Sequence, residues 1–156
     1  MRQSAGILLY RISTGGPQFF LVHPGGPFWA GREEGAWTIP KGEFTEAEQP
    51  LAAARREFFE ETGFRASGPF HPLGTVKQKA GKLVHAWAAE GDIDPAAIHS
   101  NTFRTQWPPR SGKWISVPEI DKAGWFDYEP AQVLINPAQA AFLDALLDHL
   151  RNPPQP

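Results

Sequence analysis

Three glutamates at helical spacing are the residues of this chain best suited to chemistry. Glu57, Glu60 and Glu61 stand at positions i, i+3 and i+4, so on a helix they project from one side as neighbours. Three adjacent carboxylates repel one another, and a bound cation would offset that repulsion. Hard oxygen ligands favour Mg²⁺, with Mn²⁺ as an alternative. The competing interpretation is a solvated acidic face, which is the usual meaning of a charge run.

The residues around these glutamates predict one short helix with a buried side. Pro50 suits its first turn, Thr45 and Glu48 have the spacing of a capping box, and Gly63 can adopt the left-handed conformation that ends a helix. An apolar stripe follows the helical period on the adjoining face and is expected to pack inward: Leu51, Ala54, Phe58 and Thr62.

The wider spacing decides between the metal site and the solvated face. Residues 42–64 fit the pattern G-x5-E-x7-R-E-U-x-E-E-x-G-U, in which U is aliphatic or aromatic. The constrained positions are filled by Gly42, Glu48, Arg56, Glu57, Phe58, Glu60, Glu61, Gly63 and Phe64. This is the Nudix box, so the chain resembles the Nudix hydrolases, and the match is far more specific than a lone glycine motif.

The resemblance implies hydrolysis of a nucleoside diphosphate linked to another group, with water attacking one phosphorus while divalent ions hold the pyrophosphate. Glu48 and Arg56 would form an ion pair that orients the loop before the helix. The implied metal ligands are Glu57, Glu60, Glu61 and the carbonyl oxygen of Gly42.

The catalytic base has two main candidates, because Nudix enzymes recruit it either from the box or from a later loop. Glu57 is the candidate within the box. Glu119 lies six residues before Trp125, in a segment that resembles the tail of the diadenosine tetraphosphate hydrolases, although it is equally a loop residue that caps a turn. Glu90 is a weaker third candidate.

The substrate-binding candidates lie outside the box. Residues 37–42 resemble the lead-in of the diadenosine polyphosphate branch, and Lys41 there could bind phosphate. Residues 101–114 interleave cations with aromatic rings, which suits a polyphosphate clamp with a stacked base, although tryptophans in small domains more often belong to the core. The candidates are Arg104, Arg110 and Lys113 for phosphate, and Trp107, Phe103, Phe28 and Trp29 for stacking. The five histidines show no paired ligand spacing and are expected to be structural or at the surface, although His23 could approach the substrate.

Composition adds exclusions. A net charge of −2 argues against nucleic-acid binding through a general basic surface, and the absence of cysteine excludes disulfides and thiol catalysis. No segment has the length of a signal peptide core or a membrane span. We therefore expect a cytoplasmic enzyme, monomeric or homodimeric, that acts on a small-molecule nucleotide.

The pattern along the chain predicts an α/β fold. Strands are expected at 5–11, 18–23, 36–39, 73–78, 83–89 and 113–117, with an irregular stretch at 94–109 and a last helix capped by Asn136. This order is similar to the Nudix α/β/α sandwich, a mixed sheet between helices. One domain is expected over 1–152, followed by a disordered tail at 153–156.

The leading hypothesis is therefore a Mg²⁺-dependent hydrolase of a dinucleoside polyphosphate or a related nucleotide. Other Nudix specificities stay open: nucleoside triphosphates, ADP-ribose, nucleotide sugars, and removal of pyrophosphate from RNA 5′ ends. A nucleotide-binding regulatory module without turnover is the alternative of another class, although such a module would be expected to lose the glutamate ligands.

Overall fold

The computed structural model describes residues 2–152, so the predicted tail lies outside the described residues. Its main sheet has six strands: β1 (Gln3–Ser13), β2 (Gly16–Pro24), β3 (Lys41–Phe44), β4 (His71–Lys77), β5 (Leu83–Glu90) and β8 (Ile120–Phe126). The strand order is β4-β5-β1-β2-β8, and β3 pairs with the first half of β1. Strands β1 and β5 are parallel and the other pairs antiparallel, so the predicted mixed sheet is confirmed.

Helices cover both faces of this sheet: α1 (Pro50–Thr62) on one face, with α2 (Tyr128–Leu134) and α3 (Ala140–Arg151) on the other. Strand β1 alternates between the two cores. Ile7 and Leu9 pack in the cluster that contains Phe58 of α1, whereas Leu8 packs in the cluster that contains Phe142 and other side chains of α3. The predicted α/β sandwich is confirmed.

The ends of α1 follow the sequence signals in part. Pro50 occupies the first turn, and Gly63 ends the helix with φ of 80°. The capping box was a wrong prediction, because the N-cap residue is Gln49, without a side-chain cap. Thr45 and Glu48 form a turn upstream instead, with the amide of Glu48 donating to the carbonyl of Thr45 at 3.1 Å.

Two predicted strands are corrected. Residues 36–39 make only isolated bridges, from Thr38 to Val22 and from Trp37 to Ile135. Residues 113–117 do not return to the main sheet. They belong to β7 (Trp114–Pro118), which pairs with β6 (Thr102–Gln106) in a separate two-stranded sheet. We call residues 102–118 the arm.

Four elements were not predicted from sequence: β3, β6, β8 and α2. The prediction of an irregular stretch at 94–109 was wrong over β6, which pairs with β7. The last helix was predicted, and Asn136 does accept a hydrogen bond from the amide of Ala138 at 2.9 Å, at the start of a short 3-10 turn before α3. Within residues 2–152, no helix combines the length and the apolar character needed to cross a bilayer.

Candidate functional site

Two of the box glutamates are buried against β3. Glu57 and Glu61 are each 8% exposed, so they do not form a solvated face. The backbone amide of Lys41 donates to Glu61 Oε1 at 3.1 Å. A Cβ atom at Gly42 would overlap the carboxylate of Glu57, so the absence of a side chain there creates the space that this carboxylate fills. Strand β3 and helix α1 thus pack together through these carboxylates, in addition to the apolar contact of Phe44 with the cluster that contains Phe58.

Arg56 binds three carboxylates at once. It makes a bidentate pair with Glu48, from Nε to Oε2 at 2.8 Å and from Nη2 to Oε1 at 2.9 Å. Its Nη1 donates to Glu57 Oε1 at 2.8 Å and to Glu60 Oε2 at 3.1 Å. The hydrogen bonds from Arg56 lower the pKa of Glu48. The predicted contact of Glu48 with Arg56 is present, whereas the two further contacts were not foreseen.

The electrostatics of the box reflect burial. Burial raises the pKa of Glu61 well above its usual range, and the positive charge of Lys41 opposes that rise only in part. Burial also raises the pKa of Glu57. The pKa of Glu119 is raised by burial and then by the negative charge of Glu60, so this loop residue shares an electrostatic environment with the box. Such shifted carboxyl groups in one place mark a candidate active site.

Backbone hydrogen bonds hold Glu119 beside the end of α1. The amide of Glu119 donates to the carbonyl of Asn101 at 2.8 Å, and the amide of Asn101 donates to the carbonyl of Glu60 at 2.9 Å. The carbonyl of Glu119 accepts from the amide of Gly25 at 2.8 Å. Glu119 therefore joins the helix to the loop that follows β2, residues 24–32, which we call the glycine-rich loop.

The ligand atoms that the box glutamates offer are of the type that a hard divalent cation prefers. Glu57, Glu60 and Glu61 offer only oxygen, and burial makes a compensating positive charge favourable at the two buried positions. Within residues 2–152, no three acidic or histidine side chains already stand at metal-binding spacing. The guanidinium of Arg56 lies between Glu57 and Glu60 and supplies positive charge there.

A cavity of about 760 Å³ opens between the glycine-rich loop and the arm. Both sides contribute aromatic side chains: Phe28 and Trp29 from the loop, and Phe103, Trp107 and Trp114 from the arm. The predicted cations Arg104 and Arg110 also line it. Its size and its mix of apolar and cationic groups suit a nucleoside with attached phosphate.

Two predicted substrate-binding residues stand apart from this cavity. Lys41 lies on β3, next to Glu61. Lys113 lies in the turn of the arm, where its carbonyl accepts from the amide of Trp107 at 3.0 Å. The side chain of Trp107 is about 43% exposed, so this tryptophan is not a core residue. Trp37 is buried in the core, and Trp125 is half-buried, its indole donating to the carbonyl of Ile93.

Comparison with known proteins identifies the family of this chain. The model of the NUDIX domain matches residues 1–146. The chain belongs to the NUDIX domain family. A Nudix hydrolase acts on pyrophosphate bonds, and members of the family generally need a divalent metal. Membership therefore favours the enzyme over the regulatory module without turnover.

An RNA pyrophosphohydrolase from Brucella anthropi is 30% identical over 148 residues, an alignment that covers 72% of this chain and 81% of that protein. Solved structures with the same fold include an Ap4A hydrolase of C. elegans in a binary complex, with 22% identity, a TM-score of 0.68 and coverage of 97% and 98% of the two chains. The NUDIX domain of Shewanella oneidensis NrtR, complexed with ADP ribose, has 14% identity, a TM-score of 0.65 and coverage of 95% and 87%.

His23 of this Nudix hydrolase is a buried structural residue, as we expected of the histidines from the sequence. His23 is only 1% exposed, and its ring lies between two partners: Asp121 Oδ1 at 2.8 Å from Nδ1, and the carbonyl oxygen of Arg32 at 2.6 Å from Nε2. Sequence spacing gave no signal for the first contact, because Asp121 is 98 residues further along the chain.

Proposed function

We propose that this Nudix hydrolase uses Mg²⁺, or Mn²⁺ in its place, to cleave a dinucleoside polyphosphate or a related nucleotide. The observation that carries the proposal is the set of acidic side chains Glu57, Glu61 and Glu119, which the hydrogen bond from the amide of Gly25 to the carbonyl of Glu119 connects to a cavity with aromatic and cationic walls. We further propose a single domain over 1–152, working in the cytoplasm as a monomer or homodimer.

In this proposal the ion is held by the carboxylates of Glu57, Glu60 and Glu61 and by the carbonyl oxygen of Gly42. When bound, it supplies positive charge that neutralises the pyrophosphate oxygens and assists departure of the leaving phosphate. Arg56, fixed by its bidentate pair with Glu48, orients Glu57 and Glu60. We also propose that Lys41 binds a non-bridging phosphate oxygen, whose negative charge would offset the burial that lowers the pKa of this lysine.

Glu119 is the better candidate for the general base that takes the proton of the attacking water. Its raised pKa brings it nearer to neutral pH, which favours proton transfer. Glu57 carries a hydrogen bond from Arg56 and packs on Gly42, so its carboxylate is already committed to two neighbours. Within residues 2–152, Glu119 is anchored by backbone hydrogen bonds alone, which leave its side chain free to accept a proton.

Replacing Glu119 with glutamine is expected to lower kcat by about 10²- to 10⁴-fold at saturating Mg²⁺, with KM changed only a few-fold, because the variant keeps the shape but not the base. Steady-state kinetics measure both values. Glu90→Gln is the matched control and also tests the third candidate for the base. Glu90 is exposed and pairs with Tyr10, at the opposite end of β1 from β3, so this variant should keep wild-type kcat. A Glu119→Gln enzyme within a few-fold of wild type would transfer the base to Glu57.

For substrate recognition we propose that one nucleoside occupies the cavity, with its base stacked on Trp29 or Trp107. Arg104 and Arg110, which line the cavity, would bind phosphate there, and Lys113 would add positive charge from the turn of the arm outside the cavity. The segment 101–118 contains these three cations and no Asp or Glu, which supports a polyanionic ligand at the arm.

The substrate class is tested by comparing kcat/KM over a panel of diadenosine tetraphosphate, nucleoside triphosphates, ADP-ribose and nucleotide sugars. The proposal expects the dinucleotide to be the best substrate by at least about tenfold. If another member of the panel is best, the box and base assignments stand but the assignment to dinucleotides is wrong.

A second candidate is removal of pyrophosphate from RNA 5′ ends. The Brucella anthropi RNA pyrophosphohydrolase and the acid-free arm both favour it. A short 5′-triphosphorylated oligonucleotide in the same panel separates the two candidates, because only the RNA activity gains from added nucleotides downstream of the first.

A further inference from the structure

The glycine-rich loop after β2 is closed on itself by one side chain. His23, the last residue but one of β2, reaches across to the carbonyl of Arg32 at the other end of the loop, with Nε2 to O at 2.6 Å. Between these ends the loop makes local turns, with the amide of Trp29 donating to the carbonyl of Gly26 and that of Arg32 to the carbonyl of Trp29. The result is a compact loop whose two ends are bridged by the buried imidazole of His23.

The ring of His23 also contacts Asp121 and Trp37. Its Nδ1 lies 2.8 Å from Asp121 Oδ1, and its ring and that of Trp37 form a T-shaped pair with centroids 5.4 Å apart. The charged groups nearest to it are Asp121 on β8 and Glu33, whose Oε2 lies 3.6 Å from Nε2 and pairs with Lys122 of β8. Both hydrogen-bond partners of the ring, the Asp121 carboxylate and the carbonyl oxygen of Arg32, are acceptors.

The start of the loop is fixed to the segment that carries Glu119. The amide of Gly25 donates to the carbonyl of Glu119 at 2.8 Å. A Cβ atom at Gly25 would overlap the carbonyl oxygen of Pro118, so the backbone can approach this closely only with glycine. The loop is therefore anchored at its start by the amide of Gly25 and at its end by the hydrogen bond between His23 and the carbonyl of Arg32. The residues from Gly25 to Trp29 form one wall of the cavity.

We propose that His23 is a positioning residue, which holds the loop 24–32 against β8 and so places Phe28 and Trp29 in the wall of the nucleotide cavity. Without the two hydrogen bonds of His23 the loop keeps the Gly25 anchor and the pair of Glu33 with Lys122, but it loses the contact that closes it at Arg32. The wall would then move while the box carboxylates and Glu119 stay in place, since Glu119 has an independent anchor at Asn101. The consequence for substrate rests on the proposed function; the consequence for the loop does not.

Amide hydrogen exchange of the full chain tests the loop directly. In His23→Phe, which keeps a ring beside Trp37, the amides of Trp29 and Arg32 are expected to exchange at least about tenfold faster, with those of α1 unchanged. His85→Phe is the matched control, because His85 also uses both nitrogens, to Thr75 Oγ1 at 2.8 Å and Gln3 Oε1 at 2.6 Å, and does not touch the loop. Equal loop exchange in His23→Phe and wild type would overturn the proposal.

Kinetics separate positioning from a merely structural role. With the nucleotide that wild type hydrolyses best, His23→Phe is expected to raise KM about tenfold with kcat within about threefold. Asp121→Asn keeps an acceptor for Nδ1 and should stay near wild type, whereas Asp121→Ala should raise KM. Faster exchange with unchanged KM would overturn the positioning role. An inactive wild type would count against the proposed function alone, because the exchange measurement needs no substrate.

Discussion

Replacing Glu61 with glutamine is expected to lower kcat by about 10³-fold while leaving the fold intact. Glutamine has the same shape, and its carbonyl oxygen can still accept the hydrogen bond from the amide of Lys41, which joins α1 to β3 at 3.1 Å. It lacks the negative charge that holds a divalent ion. Since metal assistance supplies several kcal/mol of transition-state stabilisation, and each ~1.4 kcal/mol is a factor of ten, the loss should be of this order.

The same variant is expected to separate activity from stability. Burial raises the pKa of Glu61, so at neutral pH its ionised carboxylate disfavours the metal-free fold, and the contribution of this one group to stability rises as the pH falls through its raised pKa. Metal-free Glu61→Gln should therefore melt at or above the wild-type Tm, and Mg²⁺ should raise the Tm of wild type but hardly that of the variant.

Differential scanning fluorimetry with and without Mg²⁺, run beside steady-state kinetics, measures both consequences. Glu46→Gln is the control, because it makes the same chemical change at an exposed position just before α1 and should behave as wild type. If Glu61→Gln kept both full activity and the Mg²⁺-dependent rise in Tm, Glu61 would not be a metal ligand.

Replacing Gly42 with alanine is the second large effect, and we expect kcat to fall by at least about 10²-fold with little change in Tm. The added methyl group would overlap the carboxylate of Glu57, which is the far end of a flexible side chain and can swing away without disturbing the backbone. The ligand is then misplaced by an ångström or more, and such a displacement costs about 10²-fold in rate. The carbonyl oxygen of residue 42 is unchanged, so the loss would report on Glu57.

Kinetics and thermal melting of Gly42→Ala and of the control Gly15→Ala test this expectation. Gly15 lies in the turn between β1 and β2, where a Cβ atom meets nothing, so its variant should be active. A double-mutant cycle with Glu57→Gln sharpens the test, because both changes act on one carboxylate and their effects on kcat should be far from additive. A fully active Gly42→Ala would mean that the observed position of Glu57 is not needed.

The structure of the box was the part of the fold best predicted from sequence, because it depends on residues that are close together in the chain. Pro50 and Gly63 act through their own backbone preferences, so both ends of α1 could be located from neighbouring residues. Glu48 shows the limit of this approach. Its spacing from Thr45 suggested a helix cap, but the stronger hydrogen bonds of Arg56 take its carboxylate instead.

The second half of the chain was less predictable, because its structure depends on distant partners. Most side chains of the arm are exposed, and in the described residues its two strands pair with each other. Strand β7 therefore has no buried alternating face, and its sequence does not show that it lies outside the main sheet. Strand β8 owes its place to β2, about a hundred residues earlier. The contact of His23 with Asp121 depends on that same pairing. Composition did locate the candidate cations of the arm, and Arg104 and Arg110 meet at the cavity whereas Lys113 does not line it.

The most direct test of the central claim is the initial rate of AMP and ATP formation from diadenosine tetraphosphate by the wild-type chain, measured by chromatography as Mg²⁺ is titrated from zero. We predict no turnover without a divalent ion, a rate that rises to saturation with Mg²⁺, and equal amounts of AMP and ATP. Turnover that is unchanged in excess chelator, or no turnover of this dinucleotide at any Mg²⁺ concentration, would contradict the account.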